Sequence, residues 1–99
     1  MQIIIRPEAE DDLAAAFQWY EEQLPGLGAE FLDAAGVCFG RVQERPCSYP
    51  RVHRRLRRAL LPRFPYAAFY LLQEREVVVV GVLHMAPSPE RWAERAKNR

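Results

Sequence analysis

A chain of 99 residues that is 49% hydrophobic and 27% charged is expected to form a single globular domain, residues 1–99, around one modest core. Its longest apolar runs, Tyr66 to Leu72 and Val77 to Leu83, fall far short of the ~20 residues of a membrane helix, which excludes that class. The net charge of +1 conceals an asymmetry: residues 1–50 hold three arginines against nine acids, and residues 51–99 hold eleven cations against four acids.

Gln2 to Ile5 is a short β-branched run and is predicted as a strand. Pro7 suits the first turn of a helix, with Glu8, Glu10, Asp11 and Asp12 near the positive end of its dipole. Ala9, Leu13, Ala16, Phe17, Tyr20 and Leu24 recur at steps of three and four and mark one apolar face. Pro25-Gly26-Leu27-Gly28 ends this helix. A second helix follows, with Phe31, Leu32, Ala35, Cys38, Phe39 and Val42 on its stripe, and stops at Arg45 before Pro46. Gly36 and Gly40 inside it cost about 1 kcal/mol each against Ala. Close packing of the first helix against them is the expected return. Cys47 to Pro50 is a loop. Strand chemistry then comes in three pieces, about Leu56 to Leu61, Tyr66 to Leu72 and Val77 to Leu83. Pro62-Arg63-Phe64-Pro65 and Gln73-Glu74-Arg75-Glu76 are the turns between them. The middle piece is apolar on both alternations and is expected at the centre of a sheet. The last two are expected to pair as an antiparallel hairpin. Pro89-Glu90-Arg91-Trp92 is predicted to open a final helical turn. The order β-α-α-β-β-β predicts an α+β fold, a helical hairpin packed on a mostly antiparallel sheet.

The start, Met1-Gln-Ile-Ile-Ile-Arg-Pro, lacks a basic stretch followed by a long apolar run, so the cytoplasm is the expected compartment. Cys38 and Cys47 are accordingly expected as free thiols, with Cys38 in the core. His53 and His84 stand alone, so no zinc-type ligand set is visible and no cofactor is expected. Six arginines, Arg51, Arg54, Arg55, Arg57, Arg58 and Arg63, crowd one segment. Such density suits a polyanion, an acidic protein partner, or simply a solvated sheet edge. Trp19 and Tyr20 are adjacent and cannot share a helical face. Tyr20 fits the core stripe, and Trp19 is either a contact residue or ordinary packing.

Several short motifs point further. They are Ala9-Glu10-Asp11-Asp12-Leu13, Trp19-Tyr20-Glu21, Gly26-Leu27-Gly28-Ala29-Glu30-Phe31, Tyr49-Pro50, Arg57-Arg58, Phe64-Pro65-Tyr66 with Tyr70, and His84 followed by Pro89-Glu90-Arg91-Trp92. In this order, over about residues 2 to 92, the chain resembles the RelE/ParE family, the toxins of bacterial type II toxin–antitoxin pairs, in its plasmid-stabilisation branch. The resemblance implies the fold described above and a cognate antitoxin that forms a hetero-oligomer with it. For a ParE-like member it implies DNA gyrase as the target. For a RelE-like endoribonuclease it implies the ribosome and its mRNA. A non-toxic complex partner or co-repressor of the same fold is the third alternative. Target contacts are then expected from Arg55, Arg57, Arg58, Arg63 and Trp92, and antitoxin contacts from Phe17, Trp19 and Tyr66.

Two departures from the family pattern bear on chemistry. An Arg usual three residues after the final His is Pro87 here, and an Arg that RNA-cleaving members often place after the Tyr of Phe-Pro-Tyr is Ala67. RNA cleavage needs a deprotonated 2′-hydroxyl, a charge-stabilised phosphate and a protonated leaving oxygen. His84 is the one candidate for proton transfer, because an unperturbed imidazole titrates near neutral pH. With two cations missing, the expectation tilts to a gyrase inhibitor without a catalytic residue.

Overall fold

The computed structural model describes residues 1–85 and 94–96. β1 (Gln2–Ile5) leads into α1 (Pro7–Gln23) and α2 (Leu27–Glu44). A 3-10 turn at Pro46–Ser48 precedes β2 (Arg51–His53), β3 (Leu56–Leu60), β4 (Tyr66–Gln73) and β5 (Glu76–His84). The strands form one sheet in the order β1-β5-β4-β3-β2. β1 runs parallel to β5, with Ile3 opposite Val77 and Ile5 opposite Val79; every other pairing is antiparallel. Among the described residues, no helix is long and apolar enough to cross a membrane.

The fold is the expected α+β architecture with one more strand. β2 was not among the predicted strands. It is three residues, Arg-Val-His, with a bulge against β3, too short and too polar for an alternation to show. β4 takes the central place its two apolar faces require. On one sheet face Tyr70, Val77, Val79 and Val82 pack with Ala9, Ala16, Phe31, Ala35, Cys38 and Val42 of the helices. The other face buries Leu56, Phe69, Leu71, Val78, Val80 and Leu83, with Met85 and Ala96 against them. β4 and β5 thus feed two apolar clusters, which is why both read as unbroken hydrophobic runs.

The helical hairpin is closed by Glu21. Its carboxylate accepts from the Gly26 N–H at 2.9 Å and the Gly28 N–H at 3.0 Å, placing negative charge on the unpaired donors at the start of α2. Gly26 has φ +94°, a left-handed conformation that Gly adopts at little cost. The close helix approach is at Gly28, where a Cβ would stand 2.7 Å from both the ring and the carbonyl of Phe17. That corrects the expectation for Gly36 and Gly40. Both are exposed, and a Cβ at either meets nothing within 4 Å, so their helix-propensity cost has no return inside the described chain. Leu24 and Leu32 also leave their expected apolar faces. Leu24 is extended backbone beyond the end of α1, and Leu32 lies to one side of the stripe that buries Phe31, Ala34, Ala35, Cys38 and Val42. Cys38 and Cys47 are free thiols, the first buried and the second exposed. The helical turn expected from Pro89, together with Pro87 and Trp92, lies outside the described residues.

Candidate functional site

β1 stops at Ile5, where the Arg6 N–H makes a last bond to the Val79 carbonyl at 3.0 Å, but β5 continues to His84. The β4–β5 register shifts between Phe69, opposite Gly81, and Tyr70, opposite Val79. Val80 is therefore the extra residue of a bulge. Side chains take over where the neighbouring strand ends. Asp12 Oδ2, from α1, accepts from the Val82 N–H at 2.9 Å. Arg95 Nη1 donates to the Val80 carbonyl at 3.0 Å, and its guanidinium pairs bidentately with Asp12 at 2.7 and 2.9 Å. Gly81 makes room for that guanidinium, since a Cβ there would lie 2.9 Å from Arg95 Nη1. The Asp12 hydrogen bonds raise the Arg95 pKa further, so the guanidinium stays charged.

Beside this pair a cavity of about 300 Å3 opens between α1 and β5, lined by Asp12, Ala15, Ala16, Trp19, Tyr66, Val82, Leu83 and His84. Trp19 is 55% exposed and stands edge-on to Tyr20, with ring centroids 5.1 Å apart. Tyr20 stacks on Phe31 at 5.4 Å, and both rings meet Tyr66 edge-on. The Tyr66 ring in turn lies 5.3 Å from the His84 ring, at 74°. Burial, and then the nearby Asp12, push the Tyr66 phenol upward, so it is a neutral donor at physiological pH. Both oxygens of Asp12 already accept hydrogen bonds, and His84 stands exposed at the end of β5 on the same groove.

The arginines do not form one patch. Arg57 turns inward, and its Nη1 donates to the carbonyls of Tyr49 at 2.6 Å and Cys47 at 3.3 Å, tying down the loop before β2. Next to it the Tyr70 hydroxyl donates to the Pro46 carbonyl at 2.6 Å, and burial pushes that phenol up to about 12. Arg63, at φ +69°, pairs with Glu30 at 2.7 Å on the surface and lies 5.6 Å from the Phe64 ring. Arg55 lines a cavity of about 450 Å3 with Glu74 and Glu76, at the end of the sheet away from His84. Arg58 lines a third, of about 250 Å3, between α2 and β3. His53 is half-buried in β2.

Of the residues singled out in the sequence, Trp19, Tyr66 and His84 share one groove. Phe17 does not join them, because its ring packs against Gly28 within the hairpin. Arg55, Arg57, Arg58 and Arg63 point to separate places, and Trp92 lies outside the described residues. Ala67, one of the two departures from the family pattern expected above, is fully buried on the far face of the sheet. Sequence reasoning missed the working roles of Asp12, Glu21 and Arg95. Asp12 did leave a signal, an acid four residues before the buried Ala16 and so on the core side of its helix. Arg95 left none.

This two-layer fold, one sheet covered by one helical hairpin, is similar to that of a chain in a solved structure described as the chromosomal ParDE toxin–antitoxin system from P. aeruginosa. The likeness has a TM-score of 0.66 over 85% of this chain and 95% of that one, at 18% identity, and establishes the shared fold. No curated protein sequence matches the chain. The family model for the ParE toxin of the type II toxin–antitoxin system parDE matches residues 3–88, and the chain belongs to that family.

Proposed function

We propose that this toxin acts on a protein target, DNA gyrase, in the cytoplasm, and that its antitoxin silences it by covering the α1–β5 groove. The observation that carries the reading is what lines the groove. Its described lining holds Trp19, Tyr66 and His84 with a single carboxylate, Asp12, and the Arg95 guanidinium beside it is already paired bidentately with that carboxylate. RNA cleavage depends on positive charge held around the phosphate, and loss of one such group commonly costs about 10²–10³ in rate. Arg57 and Arg63 hold other partners, and the two family cation positions are Ala67 and Pro87. Exposed Trp19 at the rim of an apolar cleft suits an anchoring contact for an amphipathic helix. A ribosome-dependent endoribonuclease is the second reading, favoured by one observation: His84 stands exposed beside the neutral Tyr66 phenol.

The test is brief induction with mapping of 5′ ends on translated messages, alongside gyrase supercoiling assays on the purified protein. Inhibited supercoiling that antitoxin relieves, with messages intact, is expected. Trp19→Ala should weaken antitoxin binding by at least tenfold, as loss of a central aromatic anchor does. Codon-phased cleavage that disappears in His84→Ala, with gyrase untouched, would overturn the reading in favour of the second.

A further inference from the structure

The sheet has two outer strands, and they meet solvent differently. β2 is short, bulged against β3 and headed by the exposed Arg51, all of which discourage a further strand. β1 has none of these protections. It reads Gln-Ile-Ile-Ile, keeps an unbroken parallel register with β5, and carries neither charge nor proline. Among the described residues no strand pairs with its outer side.

Backbone alternation fixes what that side offers. The Arg6 N–H bonds to the Val79 carbonyl, so Gln2, Ile4 and Arg6 turn their polar groups toward β5. Ile3 and Ile5 therefore turn theirs outward. Their side chains lie on the helix face against the core, whereas Ile4 lies on the far face beside Val78 and is 38% exposed. Such an edge is self-complementary. An antiparallel copy centred on Ile4 sets Ile3 against Ile5 of the second copy, and Ile5 against its Ile3, and each pair exchanges two backbone bonds. The two Ile4 residues then form a non-hydrogen-bonded pair, with Cα atoms about 4.5 Å apart, and cover each other on the far face. The neighbouring registers are poorer. Centring on Ile3 calls on the Met1 carbonyl, which already accepts from Gln43 Nε2 at 3.0 Å, and centring on Ile5 calls on Pro7, which has no N–H.

Charge favours the same arrangement. Gln43 holds the C-terminal end of α2 against Met1, and α1 starts at Pro7. With Ile4 at the centre, Met1 of one copy falls opposite Pro7 of the other. The end of α2, capped by Arg45, thereby meets the first turn of α1, which carries Glu8 and Glu10. Unlike charges and opposite ends of two helix dipoles come together at both ends of the paired strands.

We propose that β1 is a self-association edge, through which two copies of this chain join their five-stranded sheets into one about a two-fold axis at Ile4. The pairing uses no residue that lines the α1–β5 groove, so each copy keeps that surface.

The experiment uses the full chain. Analytical ultracentrifugation over a concentration series follows wild type and Ile4→Glu, which sets like charges directly opposite each other. A second variant, Ile4→Cys with the exposed Cys47→Ser, is mildly oxidised. Cα atoms about 4.5 Å apart are within disulfide reach, and Cys38 is buried. Hydrogen exchange follows the Ile3 and Ile5 amides. Expected are reversible dimers of wild type, at least about tenfold weaker association of Ile4→Glu with an unchanged circular dichroism spectrum, and an intermolecular disulfide in Ile4→Cys. Exchange at Ile3 and Ile5 should slow as concentration rises. If Ile4→Glu does not fold, the cross-link and the exchange decide. A wild type that stays monomeric overturns the proposal. So does a dimer that Ile4→Glu leaves intact and Ile4→Cys does not cross-link, since the copies then meet elsewhere. Ile3 and Ile5 amides protected only once antitoxin is added would assign the edge to that partner and overturn the proposal as well.

Discussion

Asp12 does in this fold what a sixth strand would otherwise do, and its removal should be costly. Asp12 and Arg95 expose only 14% and 22% of their side chains, so solvent screens the pair little. Asp12→Ala strands the Val82 N–H and leaves the Arg95 guanidinium without its carboxylate. An unsatisfied buried donor costs about 1–3 kcal/mol, and breaking a buried pair by removing one partner about 3–5 kcal/mol. Because the pair is not fully buried and Arg95 keeps the Val80 carbonyl, about 3–4 kcal/mol is expected in total. In a chain of this size that lowers the melting midpoint by roughly 15 °C or more. Arg95→Ala should cost about 2–3 kcal/mol, because Asp12 retains its bond to Val82. The double variant should cost little more than Asp12→Ala alone, a coupling of about 2 kcal/mol. Urea melts of the four proteins at one pH provide the cycle. If the two single effects add to within about 0.5 kcal/mol, the residues do not act as one unit and the reasoning fails.

Two further predictions concern the helices. Gly28→Ala drives a methyl group into the Phe17 ring and carbonyl and should cost about 1–3 kcal/mol, whereas Gly36→Ala and Gly40→Ala, with open space at each Cβ, should each stabilise by about 1 kcal/mol. Equal and negative effects at all three glycines would show that the close approach is misplaced. Burial raises the Cys38 thiol from 9.0 to about 11, so the folded state holds a proton that the unfolded state has lost in that interval. Its contribution is complete below about pH 9 and is lost as pH rises toward 11, a fall of about 2–3 kcal/mol. Cys38→Ala should flatten this part of the pH–stability curve, and parallel curves for the two proteins would count against it.

Much of the fold was legible because local chemistry and tertiary packing agree. The stripe of Ala9, Ala16, Phe31, Ala35, Cys38 and Val42 has helical period and faces one core. The valines of β5 have none, because the strand is buried on both faces. Pro7, Pro25 and Pro46 bound their helices through a missing donor and a fixed φ, properties of the residue itself. Trp19 was legible as a residue off the stripe.

What only the tertiary structure decided involves partners distant along the chain. Asp12 meets Arg95 and Val82 only because β1 ends one residue before Arg6 and a bulge at Val80 turns the edge of β5 toward α1. The tight glycine is Gly28 rather than Gly36 because the hairpin, closed by Glu21, brings Phe17 there. The arginine segment reads as one charged run, yet strand alternation and left-handed turns at Arg54 and Arg63 send its side chains to different faces. One-dimensional spacing records which residues follow one another. Which of them share a cavity depends on where each strand stops, and that is settled by hydrogen bonds closed across most of the chain.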